Sequence, residues 1–183
     1  MKVYLHLADG FEEIEAISVV DILRRAGIET QTVSITGRKE VHGVHDIKVI
    51  SDILFEDADY SSADMIILPG GGPGTENLNN HTGLKEEIRN FSEQGKWLAA
   101  ICAAPTVLGR LGLLQDKSAV CYPGCESNLT GANICSKEIT TITDGKIITS
   151  RGPGTCLEFA LKIVEALKGM ETVNRLRAGM IIS

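Results

Sequence analysis

Short apolar segments alternate with longer amphipathic segments along the chain, and this pattern predicts its secondary structure. The apolar segments predict strands over Lys2–Ala8, Glu29–Ile35, Asp64–Leu68 and Lys96–Ile101. Segments with a helical period predict helices over Glu12–Ala26, Thr82–Gln94, Ala103–Leu111, Pro153–Lys168 and about Glu171–Arg177. Hairpins are predicted over Val41–Ile50 and over Glu138–Ile142 with Lys146–Ser150. Because the central strands are apolar on both faces, we predict a single α/β domain over residues 1–183, with a mostly parallel sheet covered on two sides.

Three loops follow the carboxyl ends of predicted strands: Asp9–Glu12, Pro69–Gly74 and the segment around Cys102. Ligands of open α/β sheets bind at this edge, so we expect the functional site there. Neither a dinucleotide-binding glycine pattern nor a nucleoside-triphosphate loop follows any strand. Enzymes that depend on those cofactors are therefore excluded, and no cofactor is expected.

Cys102 lies at a predicted turn from an apolar strand into a helix. Ala100 and Ala104 flank it at the positions where a hydrolase nucleophile elbow has glycines, because such a sharp turn needs small neighbours. A helix N-terminus favours a thiolate, so we expect the pKa of the Cys102 thiol to be lowered and the sulfur to be reactive. The alternative is an inert cysteine buried after a core strand.

Glu15 falls on the apolar side of the Glu12–Ala26 helix, so its carboxyl is expected to point toward the sheet. Burial raises the pKa of a carboxyl group, and a protonated Glu15 beside Cys102 would exchange a proton with sulfur or substrate. Glu12 and Glu13 are better suited to the ordinary role of acidic residues in a first helical turn. A capping role is also the alternative for Glu15.

The glycines Gly70, Gly71 and Gly72 follow a buried strand. Exposed backbone N–H groups in such a loop hold anions, and with the N–H of Ala103 they would bind a developing oxyanion next to Cys102. The alternative is a tight turn that needs positive φ angles.

Ile14 and Ile17 interrupt the polar side of the Glu12–Ala26 helix. Exposed apolar side chains that group on one helix face are typical of a contact surface, so we predict a homodimer formed through this helix. The alternative is that the two isoleucines are isolated surface residues.

Composition narrows the function classes. The net charge of −6 and the pI near 5.2 argue against a nucleic-acid partner. No apolar segment approaches the length that crosses a bilayer, and an acidic residue appears at position 9, so no membrane association is expected and a cytoplasmic location is predicted.

A metal site is not expected. The five cysteines have no framework spacing, and Cys121 with Cys125 forms a single pair without spaced histidines. His42 and His45 are three residues apart in a segment predicted as strand, where they would face opposite ways.

Five separated motifs resemble the ThiJ/PfpI superfamily, in particular its branch of the parkinsonism-associated deglycase and bacterial ThiJ-like proteins. They cover nearly the whole chain in order: Gly10–Glu15, Arg24–Gly27, Leu68–Gly71, Ala99–Pro105 and Thr149–Thr155. The resemblance implies a flavodoxin-like three-layer sandwich, usually homodimeric, with an oxidation-prone nucleophilic cysteine. By match, Cys102 would be that cysteine, Glu15 its protonated partner, and Gly71 and Ala103 the N–H donors.

Two positions depart from family patterns. Ala103 stands where the protease-like branch has a histidine, which disfavours a peptidase. Tyr122 stands where the deglycase branch often has a histidine; a phenol is a poor base at neutral pH, so we expect Tyr122 to bind substrate by a hydrogen bond.

Two functions follow from these expectations. The first is a glyoxalase or deglycase that acts on small 2-oxoaldehydes or their protein adducts through Cys102 and Glu15. The second is an oxidative-stress sensor or redox-regulated chaperone in which Cys102 is oxidised without turnover.

Overall fold

The computed structural model describes residues 1–182. Its strands are β1 Lys2–Leu7, β2 Glu29–Ser34, β3 Glu40–His42, β4 Lys48–Ile50, β5 Ile53–Leu54, β6 Met65–Leu68, β7 Trp97–Ile101, β8 Ser118–Ala119, β9 Asn133–Ile134, β10 Thr141–Asp144 and β11 Ile147–Ser150. Its α-helices are α1 Glu13–Arg25, α2 Gly72–Asn80, α3 Thr82–Glu93, α4 Pro105–Arg110, α5 Cys156–Lys168 and α6 Met170–Met180.

A seven-stranded sheet forms the centre, with the strand order β10-β11-β7-β6-β1-β2-β5. All its neighbouring strands run parallel except β10 and β11, which form an antiparallel hairpin. The expected mostly parallel sheet is therefore confirmed.

Each central strand contributes apolar side chains to two separate cores. In β6, for example, Ile66 and Ile67 are both fully buried but belong to cores on opposite faces of the sheet. Helices α1 and α5 pack on one face, and α3 and α4 pack on the other. The predicted flavodoxin-like three-layer sandwich is confirmed, and its carboxyl edge brings together the ends of β1, β6 and β7.

Element bounds differ from the sequence predictions mainly around glycines. The segment predicted as the loop Pro69–Gly74 enters helix α2 at Gly72, although Gly72-Pro73-Gly74 has low helix propensity. A proline in the first turn of α2 supplies a helical φ angle, and Gly74 lies so close to Phe11 that a Cβ there would be 2.7 Å from the Phe11 nitrogen. Tertiary packing therefore overrides local propensity here.

The hairpin of β3 and β4 stands apart from the seven-stranded sheet. It is attached to the loop after β1, where Gly10 donates to the His42 carbonyl at 2.7 Å and Val44 donates to the Phe11 carbonyl at 2.9 Å. This attachment places the turn of the hairpin beside the first turn of α1.

Within residues 1–182, none of the helices combines the length and the apolar character that a bilayer-spanning segment requires.

Candidate active site

The loops after β1 and β6 are joined directly at the carboxyl edge of the sheet. The N–H of Glu12 donates to the carbonyl of Gly70 at 2.9 Å, and the N–H of Gly74 donates to the carbonyl of Gly10 at 3.0 Å. The start of α1 is thereby fixed against the glycine loop, which positions Glu15 next to the end of β7.

Cys102 occupies the turn at the end of β7 in a left-handed conformation with φ +66°. In a non-glycine residue this conformation costs about 1–2 kcal/mol of backbone strain. The N–H of Cys102 donates to the Ser150 carbonyl at 3.0 Å, and its carbonyl accepts the Tyr122 N–H at 2.7 Å. These two bonds hold the strained residue from both sides, as expected for a nucleophile elbow.

The helix after Cys102 is shorter than predicted. Helix α4 begins at Pro105 and has six residues, and Ala103 and Ala104 form a turn before it. The expected helix Ala103–Leu111 is therefore wrong at its start, because the chain must first leave the left-handed conformation of Cys102. The backbone N–H groups of Gly71 and Ala103 are the donors that act on the sulfur.

Glu15 points inward as the helical pattern predicts, and its side chain is fully buried. Its Oε2 accepts the N–H of Gly70 at 2.7 Å. Its Oε1 is buried without a hydrogen-bonding partner among the described residues. One carboxyl oxygen is thus anchored, and the other is available for chemistry.

Gly70 lies between the Glu15 carboxyl and the Cys102 thiol, where there is no room for a side chain. A Cβ at this position would lie 2.5 Å from both the Cys102 Cβ and the Glu15 Oε2, and 3.1 Å from the Cys102 Sγ. Only glycine therefore lets both side chains approach the same backbone atom, which makes them neighbours.

The two groups shift each other's pKa. Burial raises the pKa of Glu15 from 4.5 to about 7, while the Gly70 N–H and the Cys102 thiol lower it. Burial and then the Glu15 charge raise the pKa of the Cys102 thiol from 9.0 to about 12, against the lowering effect of the Gly71 and Ala103 N–H groups. The expected lowered thiol pKa is wrong, because sequence reasoning counted the helix end and omitted burial and the neighbouring carboxylate. The carboxyl and the thiol titrate as a coupled pair.

Gly71 needs its glycine for two reasons. Its φ is +89°, and a Cβ would collide with the backbone of Gly10 and lie 2.7 Å from the Glu12 nitrogen. Gly72, by contrast, has open space around its Cβ position. The glycine loop therefore combines the expected N–H donor at Gly71 with the tight turn that was its alternative.

Tyr122 is bonded to the site through its backbone, by the N–H that Cys102 accepts. Its side chain is 48 % exposed, and its ring lies against Gly152, where an added Cβ would be 3.2 Å from Cδ2. The phenol is thus available to a ligand that arrives from solvent.

Cys102 is 8 % exposed, so its sulfur is close to the surface without being open to it. A cavity of about 350 Å³ lies at the same sheet edge but near the ends of β1 and β2, and Asp9, Arg38 and His81 are among its lining residues. Since none of the predicted site residues lines this cavity, it is separate from the site at Cys102.

Sequence reasoning missed one contributor to the site, the Ser150 carbonyl, and did not identify Glu15 as the partner of another, the Gly70 N–H. The carbonyl of Ser150 and the N–H of Gly70 fix Cys102 and Glu15 respectively. Both are backbone groups, so side-chain chemistry gives no signal for them, although each lies in a motif that carries the family resemblance.

Comparison with known proteins agrees with this geometry. The model of the DJ-1/PfpI family matches residues 1–166. Protein DJ-1 homolog B of Arabidopsis thaliana is 40 % identical over 171 residues; these cover 93 % of this chain but 39 % of that protein. Glutathione-independent glyoxalase DJR-1.2 of Caenorhabditis elegans is 33 % identical, with 90 % of this chain and 87 % of the relative covered.

A solved structure of oxidized DJ-1 from Toxoplasma gondii superposes with a TM-score of 0.90 at 35 % identity, covering 98 % of this chain and 97 % of that chain. The shared fold and the matching family model lead to one conclusion: the chain belongs to the DJ-1/PfpI family, in its DJ-1-like branch.

Proposed function

We propose that this protein is a cysteine-dependent enzyme that converts small 2-oxoaldehydes, free or as protein adducts, without a cofactor. The observation that carries the proposal is the fully buried Glu15 carboxyl, which is anchored by one oxygen and lies against Gly70 together with the Cys102 sulfur. The relative named glutathione-independent glyoxalase supports the same class of substrate.

In the proposed mechanism the Cys102 sulfur attacks the aldehyde carbon while the Glu15 carboxylate takes the thiol proton. The raised pKa of the thiol opposes a complete transfer in the resting protein, so the proton passes to the carboxyl as the carbon–sulfur bond forms. The aldehyde oxygen of the hemithioacetal is held by the N–H groups of Gly71 and Ala103, which already act on the sulfur.

Glu15 returns the thiol proton to the hemithioacetal oxygen and is a carboxylate again. It then moves a proton from the former aldehyde carbon to the neighbouring carbonyl carbon, while the proton on the hemithioacetal oxygen passes to the neighbouring carbonyl oxygen, which leaves a thioester and a hydroxyl group. Water hydrolyses the thioester to the 2-hydroxy acid and frees the thiol. The sum is one oxoaldehyde plus one water to one hydroxy acid. Gly72 and Tyr122 are the proposed additional substrate contacts, since Gly72 follows Gly71 and the Tyr122 phenol is exposed.

The test is the loss of methylglyoxal and the formation of lactate by purified variants. Cys102→Ser should abolish turnover, and Glu15→Gln should lower kcat by about 10²–10⁴-fold, as expected for a lost acid–base group. Cys135→Ser is the matched control because Cys135 is a free cysteine on a different part of the surface, after β9. Wild-type turnover in Cys102→Ser would overturn the proposal.

The second candidate is a redox sensor, and the oxidized form of the Toxoplasma gondii relative favours it. Peroxide would convert the Cys102 thiol to a sulfenic acid with release of water, and a second peroxide would give the sulfinic acid. The N–H of Ala103, which acts on the Cys102 sulfur, and the Glu15 carboxyl, whose Oε1 has no partner among the described residues, are the groups that we propose bond the added oxygens. Intact-mass analysis discriminates: a stoichiometric gain of about 32 Da on Cys102, with no turnover of methylglyoxal, selects the sensor.

The homodimer also belongs to this proposal. Ile14 and Ile17 of α1 are 49 % and 44 % exposed, and Val44 and Ile47 of the neighbouring hairpin are exposed as well. These four residues, called the α1–hairpin face below, form the surface through which we expect two copies to associate.

A further inference from the structure

Three side chains with metal-ligating atoms meet where the turn of the β3–β4 hairpin reaches α1. Glu13 is buried, and its Oε2 lies 2.9 Å from Nδ1 of His45. Glu12, one residue earlier, places its Oε1 3.5 Å from the same nitrogen. These residues, called the Glu–Glu–His cluster below, lie on two segments separated by about thirty positions in sequence.

The spacing of the cluster suits a small divalent ion. One ligand atom from each residue lies within 4.8 Å of the other two. An ion bound at about 2.0–2.2 Å in tetrahedral geometry has ligand atoms roughly 3.3 Å apart. The separations of 2.9 and 3.5 Å from His45 Nδ1 lie on either side of that value, and the two carboxylate oxygens lie within 4.8 Å of each other, so an ion would draw the two carboxylates together.

The hairpin holds the Glu13 carboxyl in place independently of His45's ring. The Oε1 of Glu13 accepts the backbone N–H of His45 at 2.7 Å and that of Ile47 at 3.4 Å. Gly43 makes room for the carboxyl, since a Cβ at this position would collide with it. Hydrogen bonds of this kind orient the carboxylate ligands of metal sites and leave the second oxygen free to bind.

The net negative charge of the cluster also favours a bound cation. Two carboxylates face one imidazole, and no Lys or Arg of residues 1–182 forms an ion pair with Glu12 or Glu13. The exposed ring of His45 covers the cluster on the solvent side. An ion would therefore enter beside the ring without disturbing the core.

We propose that Glu12, Glu13 and His45 bind a divalent ion of the zinc type, with water completing its coordination. Mixed carboxylate and imidazole ligands suit such ions better than calcium or magnesium, which prefer oxygen alone. The bound ion would fasten the hairpin to α1. This site is distinct from Cys102 and does not depend on the proposed enzymatic activity.

The sequence expectation of no metal site rested on the spacing of the cysteines and on His42 and His45 within one segment. Those two histidines do not converge: His42 pairs with Glu40 on its own strand, while His45 meets α1. The ligands that do converge come from separate segments, which spacing rules within one segment do not detect.

The test is isothermal titration of the full chain with zinc chloride, with metal removed beforehand. Wild type should bind one ion per chain, and both His45→Ala and Glu12→Gln should weaken binding at least tenfold. His42→Ala is the matched control, since it removes an exposed histidine from the same hairpin and should bind like wild type. Glu12→Gln keeps the contact between Glu13 and His45, so its folded state is preserved.

Three outcomes would overturn the proposal. The first is a titration of wild type without any binding heat. The second is wild-type binding by both His45→Ala and Glu12→Gln, which would place the zinc on cysteine thiols. The third is a loss of binding in His42→Ala as large as that in His45→Ala, which would show a diffuse surface effect.

Discussion

At the scale of single residues, the site depends on small residues that allow close approach more than on the reactive groups themselves. Cys102 is held at φ +66° by backbone partners, and Gly70 lets the Glu15 carboxyl reach its side. The proximity of Cys102 and Glu15 was predictable from sequence, because an elbow cysteine and an inward-facing glutamate leave a residue pattern. The raised thiol pKa was not, since it follows from burial and from a neighbour eighty-seven positions away in the chain.

Gly70→Ala should disrupt the pair while leaving the fold. The added methyl would meet the Cys102 Cβ and the Glu15 Oε2, each at 2.5 Å, so one of the two must move. We expect a stability loss of about 1–3 kcal/mol, typical of overpacking, and at least a tenfold change in the alkylation rate of Cys102 by iodoacetamide.

Gly179→Ala is the control for this substitution, because no atom lies within 4 Å of its Cβ position and Gly179 lies on α6, away from Cys102. Thermal unfolding and mass-resolved alkylation measure both effects. Equal alkylation rates for wild type and Gly70→Ala would contradict the role assigned to Gly70.

At the scale of elements, long segments with a clear period were predictable and short or glycine-rich ones were not. Helix α1 was found with Glu15 facing inward, but Glu13, which was expected to have the ordinary role of an acidic residue in a first helical turn, is buried. The hairpin covers it, and a helical wheel does not include an element that arrives from elsewhere in the chain. Helix α2 and the two-residue strands β5, β8 and β9 carry too little pattern to be recognised.

His6 of strand β1 contacts the segment before β6, and its burial should make the free energy of unfolding decrease at acidic pH. Its Nε2 lies 2.7 Å from the Tyr60 hydroxyl, and the ring is fully buried. Burial lowers the pKa of His6 to about 3, well below the 6.5 of an exposed histidine. The unfolded chain therefore takes up the proton first, and the stability that neutral His6 contributes above pH 6.5 is lost as the pH falls toward 3.

Urea unfolding of wild type and His6→Gln at pH 7.5 and pH 5 measures this effect. Because glutamine does not titrate, the stability lost between the two pH values should be smaller in the variant. Glu15 is present in both chains, so its contribution to the pH dependence of stability cancels in the comparison. Its raised pKa makes the folded state more stable at low pH, which is opposite to the effect of His6. An identical pH dependence in both would show that His6 is not responsible.

At the scale of the whole molecule, the sheet order brings three distant loops to one edge, and the same edge adjoins the α1–hairpin face. The parallel sheet and its two covering layers were predictable, because strands apolar on both faces need helices on both sides. The attachment of the hairpin to α1 was not, since it depends on backbone bonds with the loop after β1.

The double substitution Ile14→Lys with Ile17→Lys should convert a dimer to a monomer, because four charges per dimer would enter an apolar contact. Sedimentation velocity at micromolar concentration measures the assembly, and circular dichroism confirms the fold. Ile134→Lys is the control, since Ile134 is 46 % exposed but lies on β9, outside the α1–hairpin face. A wild-type chain that sediments as a monomer would refute the predicted association.

The separate hairpin also determines how limited proteolysis would affect the protein. Its two strands have three residues each and share no ladder with the seven-stranded sheet. A nick in the exposed turn near Asp46 would leave both sheet-bound cores intact. The buried Glu13 would lose its cover and its backbone hydrogen bonds from His45 and Ile47, so we expect damage at this turn to lower stability and to change self-association through the α1–hairpin face.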